Sequence, residues 1–156
     1  MLAEKFSSFD ISRALAETKA KKISSKIYDQ MILGADQVLD FGGNIFNKPE
    51  NMELAINLMK RLNGKEHSLF SSICLSKNGS TIWMHTEQVV LKMKQLSDNF
   101  IKDYLQKVGL ETIKKYGVYQ IEGIGKDLFE EIKGDEYSVM GMPIKQLINY
   151  YKINEK

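Results

Sequence analysis

Two polar residues stand inside an apolar run where a buried strand is expected. In Met31-Ile32-Leu33-Gly34-Ala35-Asp36-Gln37-Val38-Leu39 the β-branched and aliphatic residues read as strand, closed by the turn-like Phe41-Gly42-Gly43-Asn44. Asp is almost never buried unless it is paired or ligated. Gly34, two residues earlier, weakens a strand and marks close approach of a ligand or another backbone. Downstream, Lys48 precedes Pro49, which holds the chain extended or in a turn. A strand carboxylate and a loop amine can face one anionic, metal-bearing substrate. The competing reading is an acid at a strand end and a solvated loop charge. A third polar feature is Gln120 with Glu122, just before Gly123-Ile124-Gly125-Lys126. That G-x-G-K lacks the spacing of a Walker A loop and reads first as a tight turn. Carboxylates with a lysine and Gly turns suit Mg²⁺ or Mn²⁺ phosphate chemistry better than covalent catalysis. No Ser or Cys nucleophile motif is present, and neither His67 nor His85 has a second ligand at metal spacing.

The elements that must position these groups follow from periodicity and caps. Asp10 is expected to cap a first helix, with Ile11, Leu15, Lys19, Ile23 and Ile27 recurring near helical spacing. Its lysines, Lys19, Lys21, Lys22 and Lys26, suit a solvated face and a C-terminal half. Asn51 caps a second helix with Leu54, Ala55, Leu58, Met59 and Leu62 on one stripe, stopped by Asn63-Gly64. Two long β runs flank Asn78-Gly79, the strongest short-range hairpin signal. Ser97 caps a third helix ending at Gly109. Strands are expected at Tyr116–Ile121 and Tyr137–Met140, with a short helical piece around Leu128, Phe129 and Ile132 between them. Pro143 opens a last helix whose Ile144, Leu147, Ile148 and Tyr151 are expected to be buried. The fold class is therefore α/β: one mixed, mainly antiparallel sheet with helices on both faces.

The totals agree with one soluble domain. The 156 residues are 43% hydrophobic and 27% charged, with a net charge of +2, too small to argue for nucleic acid or a membrane surface. The single Cys74 permits no internal disulfide, reads as a small core residue, and fits a reducing cytoplasm. No long apolar span or signal-peptide pattern is seen.

Six segments in order resemble the Maf family, nucleoside triphosphate pyrophosphatases of the inosine-triphosphatase-like superfamily. They are Leu15-Ala16-Glu17-Thr18-Lys19-Ala20, Gly34-Ala35-Asp36-Gln37-Val38, Asn47-Lys48-Pro49, Leu62-Asn63-Gly64-Lys65-Glu66-His67, Ile121-Glu122-Gly123-Ile124-Gly125, and the run from Lys133-Gly134-Asp135 to Val139-Met140-Gly141-Met142-Pro143. The resemblance covers residues from about 12 to the end and implies one nucleotide-cleft domain over 1–156. It implies hydrolysis between the α and β phosphates to a nucleoside monophosphate and pyrophosphate. Asp36 would be the proton acceptor and hold a divalent metal, Mg²⁺ or Mn²⁺. Lys19 and Lys48 would bind the phosphates. Gln37 and Glu122 match the family branch that prefers 7-methyl-GTP, where a carboxylate suits a cationic purine. It further implies a nucleoside triphosphate substrate, a homodimer, a cytoplasmic house-cleaning role and a link to septum formation. Against the family pattern, the chain starts after the opening strand, the Ser-x-Ser-Pro-x-Arg loop and an acidic segment, about the first quarter of the domain. The alternative expectation is thus a non-catalytic nucleotide-binding protein or fragment linked to cell-division arrest, with an exposed sheet edge.

Overall fold

The computed structural model describes residues 5–154. Five strands form one sheet in the order β2-β1-β3-β4-β5, comprising β1 (Met31–Phe41), β2 (Asn44–Phe46), β3 (Glu66–Lys77), β4 (Ser80–Met93) and β5 (Phe129–Lys133). Every neighbouring pair is antiparallel, so the expected mixed sheet contains no parallel pair among the described residues. The β3–β4 hairpin turns through Asn78 and Gly79, both at positive φ (50° and 78°), as an Asn-Gly turn of this type requires.

Helix α1 (Ser8–Ser24) lies on one face of the sheet, with most of its contacts to β1 and β3. The apolar core fills the other face, built from α2 (Met52–Leu62), α3 (Asp98–Val108), α4 (Leu110–Tyr116) and the sheet's Leu69, Val89, Leu91 and Met93. A 3₁₀ turn (Ile124–Leu128), α5 (Glu136–Val139) and α6 (Ile144–Asn154) complete the described chain. No helix among the described residues is long and apolar enough to cross a membrane.

Caps at Asn51 and Ser97 are as expected: each side chain accepts a hydrogen bond from the third residue beyond it, Leu54 N and Phe100 N. Several expectations are corrected. Ser7, not Asp10, caps α1; its Oγ accepts from Asp10 N and donates to Asp10 Oδ2 at 2.6 Å. The buried stripe of α1 is Ser8, Ser12, Ala16, Ala20 and Ser24, while Leu15 and Ile23 are exposed. The cause is Gly34: a Cβ there would lie 2.5 Å from Ala16 O, so only small residues fit between helix and strand. Residues 117–123 are neither strand nor helix, whereas 129–133, expected as helical, pair with β4 as β5. Tyr137–Met140, expected as a strand, instead lies in α5 (Glu136–Val139) and its C-cap, because Asp135 caps the helix by accepting from Ser138 N and Oγ. Finally, α6 buries none of its side chains; Ile148 and Tyr151 are exposed.

Candidate functional site

A cleft of about 510 Å³ opens beside β1, of a size suited to a small organic ligand. Its wall is built from β1 (Asp36 to Leu39), the end of β2 and the loop after it (Ile45 to Pro49), Tyr116 at the end of α4 with the irregular 117–122 segment, and Val139 and Met140 at the end of α5. The floor is apolar, with Leu58 of α2 and Leu69 of β3 below Phe46, Tyr116 and Tyr119. Asp36, Gln37, Lys48 and Glu122 all line this space, although 86 residues of chain separate the first from the last.

Strand alternation sends Asp36 toward α1 and Gln37 to the opposite face. Lys19 of α1 meets Asp36 there, its Nζ 2.5 Å from Oδ1 and 3.4 Å from Ala35 O. Asp36 is largely buried (side chain 14% exposed) and Lys19 is not (58%), so the amine can swing toward a ligand while the acid stays fixed. Lys19 itself is not a lining residue; it reaches the cleft through Asp36.

Gln37 is held by its side-chain amide. Its Nε2 donates toward Ser71 Oγ (2.9 Å), Ser138 O (3.1 Å) and Val139 O (2.7 Å). Ser71 Oγ also donates to Ser138 O at 2.5 Å. The amide nitrogen thus ties β1 to the end of α5, leaving Oε1 as the free polar atom. Lys48 Nζ donates to Lys115 O (2.9 Å) in the last turn of α4, where a cation suits the exposed carbonyls. Glu122 is exposed, and its carboxylate has no hydrogen-bond or ion-pair partner among the described residues.

Sequence reasoning missed the tyrosines and the serine pair. Tyr116 and Tyr119 provide ring faces in the cleft, and Ser71 and Ser138 are fully buried beneath Gln37. Gln120 also lines the cleft, and its Nε2 is buried without a hydrogen-bond partner. Gly125 serves backbone packing: a Cβ there would sit 2.6 Å from Gln120 O.

No group of three His, Cys, Asp or Glu among the described residues is arranged to hold a metal ion. A hard cation such as Mg²⁺ needs only one or two carboxylates when phosphate and water supply the rest. Asp36 fits that role, since Oδ2 remains open while Lys19 occupies Oδ1.

A family profile described as Maf-like protein matches residues 3–152. A nucleoside triphosphate pyrophosphatase of Pelagibacter ubique is 45% identical over 153 residues, covering 98% of this chain and 78% of that protein. One of the same name from Ruegeria pomeroyi is 41% identical over 150 residues, covering 96% and 75%. A 7-methyl-GTP pyrophosphatase of Bartonella quintana is 41% identical over 139 residues, covering 89% and 70%. The matched segment contains the whole cleft, and the chain belongs to the Maf-like protein family.

Proposed function

We propose that this chain is a nucleoside triphosphate pyrophosphatase, cutting its substrate between the α and β phosphates to release a nucleoside monophosphate and pyrophosphate. The observation that carries the reading is one cleft lined by Asp36, Lys48, Tyr116 and Tyr119, with Lys19 paired to Asp36 at its edge. Relatives named nucleoside triphosphate pyrophosphatase and 7-methyl-GTP pyrophosphatase support it.

In this reading the base lies among the apolar and aromatic residues, and the triphosphate runs toward Lys19 and Lys48. Asp36 Oδ2 accepts a proton from the water that attacks the α phosphorus. Lys19 holds Oδ1, which orients the acid, and with Lys48 it offsets charge gathering on the phosphate oxygens. A divalent cation would be held by Asp36 and would supply further neutralisation of that charge. Glu122 and the Gln37 Oε1 face the base, an arrangement suited to a purine rich in N–H donors or carrying positive charge, as in 7-methyl-GTP.

The test is pyrophosphate release from 7-methyl-GTP, GTP, dTTP and UTP with Mg²⁺ or Mn²⁺, for the parent chain and Asp36→Asn. The expected result is release led by 7-methyl-GTP and a loss of at least about 100-fold on Asp36→Asn with nucleotide binding retained. Asp36→Asn turning over like the parent would refute the assigned role. Nucleotide binding by the parent without pyrophosphate release would instead support a binding protein.

A further inference from the structure

The 117–123 segment carries Tyr119, Gln120 and Glu122 into the cleft, yet it has no strand ladder and no helix to hold it. Three contacts fix it from below. Tyr104 of α3 donates its hydroxyl to Val118 O at 2.9 Å. Gly125 packs directly on the Gln120 backbone. Between them, the Tyr119 hydroxyl lies 2.6 Å from His67 Nε2.

We propose that His67 is a positioning residue for substrate selection: through its hydrogen bond to Tyr119 it sets where the 117–123 segment stands, and hence where Glu122 meets the base.

His67 is suited to this task. It sits near the start of β3, the central strand, paired with Leu91 of β4 and one residue before the β1 ladder begins at Ser68. It is 3% exposed and Tyr119 is 8% exposed, so the bond is screened from competing water. Phe129 packs edge-on against Tyr119 (ring centroids 4.7 Å) and tilted against His67 (6.1 Å), which closes the space around the pair. Burial holds the imidazole neutral, lowering its pKa to about 4, and pushes the Tyr119 phenol up. The contact is therefore a neutral hydrogen bond whose direction depends on the tautomer. Nδ1 has no partner, so nothing else fixes the ring's hydrogen bonding. His67 does not line the cleft; its effect reaches the ligand only through Tyr119.

This inference rests on the pyrophosphatase reading for its kinetic part, and the experiment separates the two. Tyr119→Phe removes the hydroxyl and keeps the ring; His67→Phe removes the partner; His67→Gln retains a nitrogen near the Nε2 position and serves as rescue. The first readout needs no activity: amide hydrogen exchange. Tyr119→Phe and His67→Phe are expected to speed exchange across 117–123 by about 10-fold or more, with β3 and β4 unchanged and His67→Gln near the parent. The second is steady-state kinetics on the four nucleotides. KM for the preferred nucleotide is expected to rise about 10-fold with kcat within about 3-fold, so that discrimination between bases collapses. Tyr119→Phe with parental exchange and parental base preference would overturn the proposal. So would an equal fall in kcat for every nucleotide, which marks general damage. If the parent itself releases no pyrophosphate, the pyrophosphatase reading fails, and the exchange data still decide whether His67 anchors the segment.

Discussion

Gly34→Ala is the sharpest test of how the fold builds the acid–amine pair. In an unobstructed strand, Ala would gain about 0.5–1 kcal/mol over Gly. Here the new Cβ meets Ala16 O at 2.5 Å, Ala20 N at 2.7 Å and Ala20 Cβ at 2.9 Å. Two of these are helix backbone atoms, so no rotamer change relieves the clash. Ordinary contact starts at 3.4 Å, and α1 must therefore retreat by about 0.9 Å. Overpacking of this kind costs about 1–3 kcal/mol. The retreat also stretches the Ser12–Ser72 (2.8 Å) and Ser24–Ser76 (2.6 Å) hydrogen bonds, which join buried hydroxyls of α1 and β3. Each is worth about 1 kcal/mol. With partial relaxation the expected net loss is about 2–4 kcal/mol, which a domain stable by about 5–15 kcal/mol survives. Lys19 and Asp36 would separate by the same distance, and turnover is expected to fall about 10- to 100-fold. Equilibrium urea unfolding gives the stability and pyrophosphate release the rate. Because the closest contacts are backbone, adding Ala20→Gly should recover little. A midpoint within about 0.5 kcal/mol of the parent, or full rescue by Ala20→Gly, would refute the reasoning.

Three other outcomes follow from the same coordinates. His67 has its folded pKa lowered from 6.5 to about 4, so the unfolded chain takes up the proton first; stability should drop as pH falls from 6.5 to 4, by at most about 3 kcal/mol. His67→Gln should flatten that part of the urea-midpoint profile; an unchanged slope would contradict it. Asp135→Ala removes both hydrogen bonds to Ser138 at the start of α5, and should cost about 1 kcal/mol by urea unfolding. Trp83, the single tryptophan, stacks on Tyr150 of α6 with centroids 5.0 Å apart. Tyr150→Ala should red-shift its fluorescence while lowering stability by only about 0.5–1.5 kcal/mol, because α6 buries no side chain.

The parts of the fold that were legible in the sequence are those encoded locally. Asn78-Gly79 specifies its turn by backbone conformation, and Asn51 and Ser97 specify helix starts by one hydrogen bond each. Asp36 and Lys48 stood out because charge in an apolar or Pro-flanked setting asks for a partner. What stayed hidden depends on distant partners. Nothing near Leu15 or Ile23 says that the helix must turn its serines and alanines inward; that follows from Gly34. Val118, Tyr119 and Ile121 look like strand because they are buried, yet their place beside β4 is taken by β5, and side chains from α3 and β3 hold them instead. Gln37 stood out as polar, but the bonds its nitrogen makes to carbonyls about 100 positions along the chain span a distance no local pattern encodes.

The interface between α1 and the sheet consists of Ser8, Ser12, Ala16, Ala20 and Ser24 facing Gly34, Ser72, Cys74 and Ser76, so hydroxyl pairs replace most of the usual apolar burial. Burial of apolar surface is what gives folding its large heat-capacity change and weakens it on cooling. The docking of α1 should therefore be driven by enthalpy and carry little heat-capacity change, unlike the core beneath α2 and α3. In the cold the core loses hydrophobic driving force while α1 keeps its grip. On warming, α1 should loosen before the core beneath α2 and α3, which would take Lys19 away from Asp36 while that core is still folded.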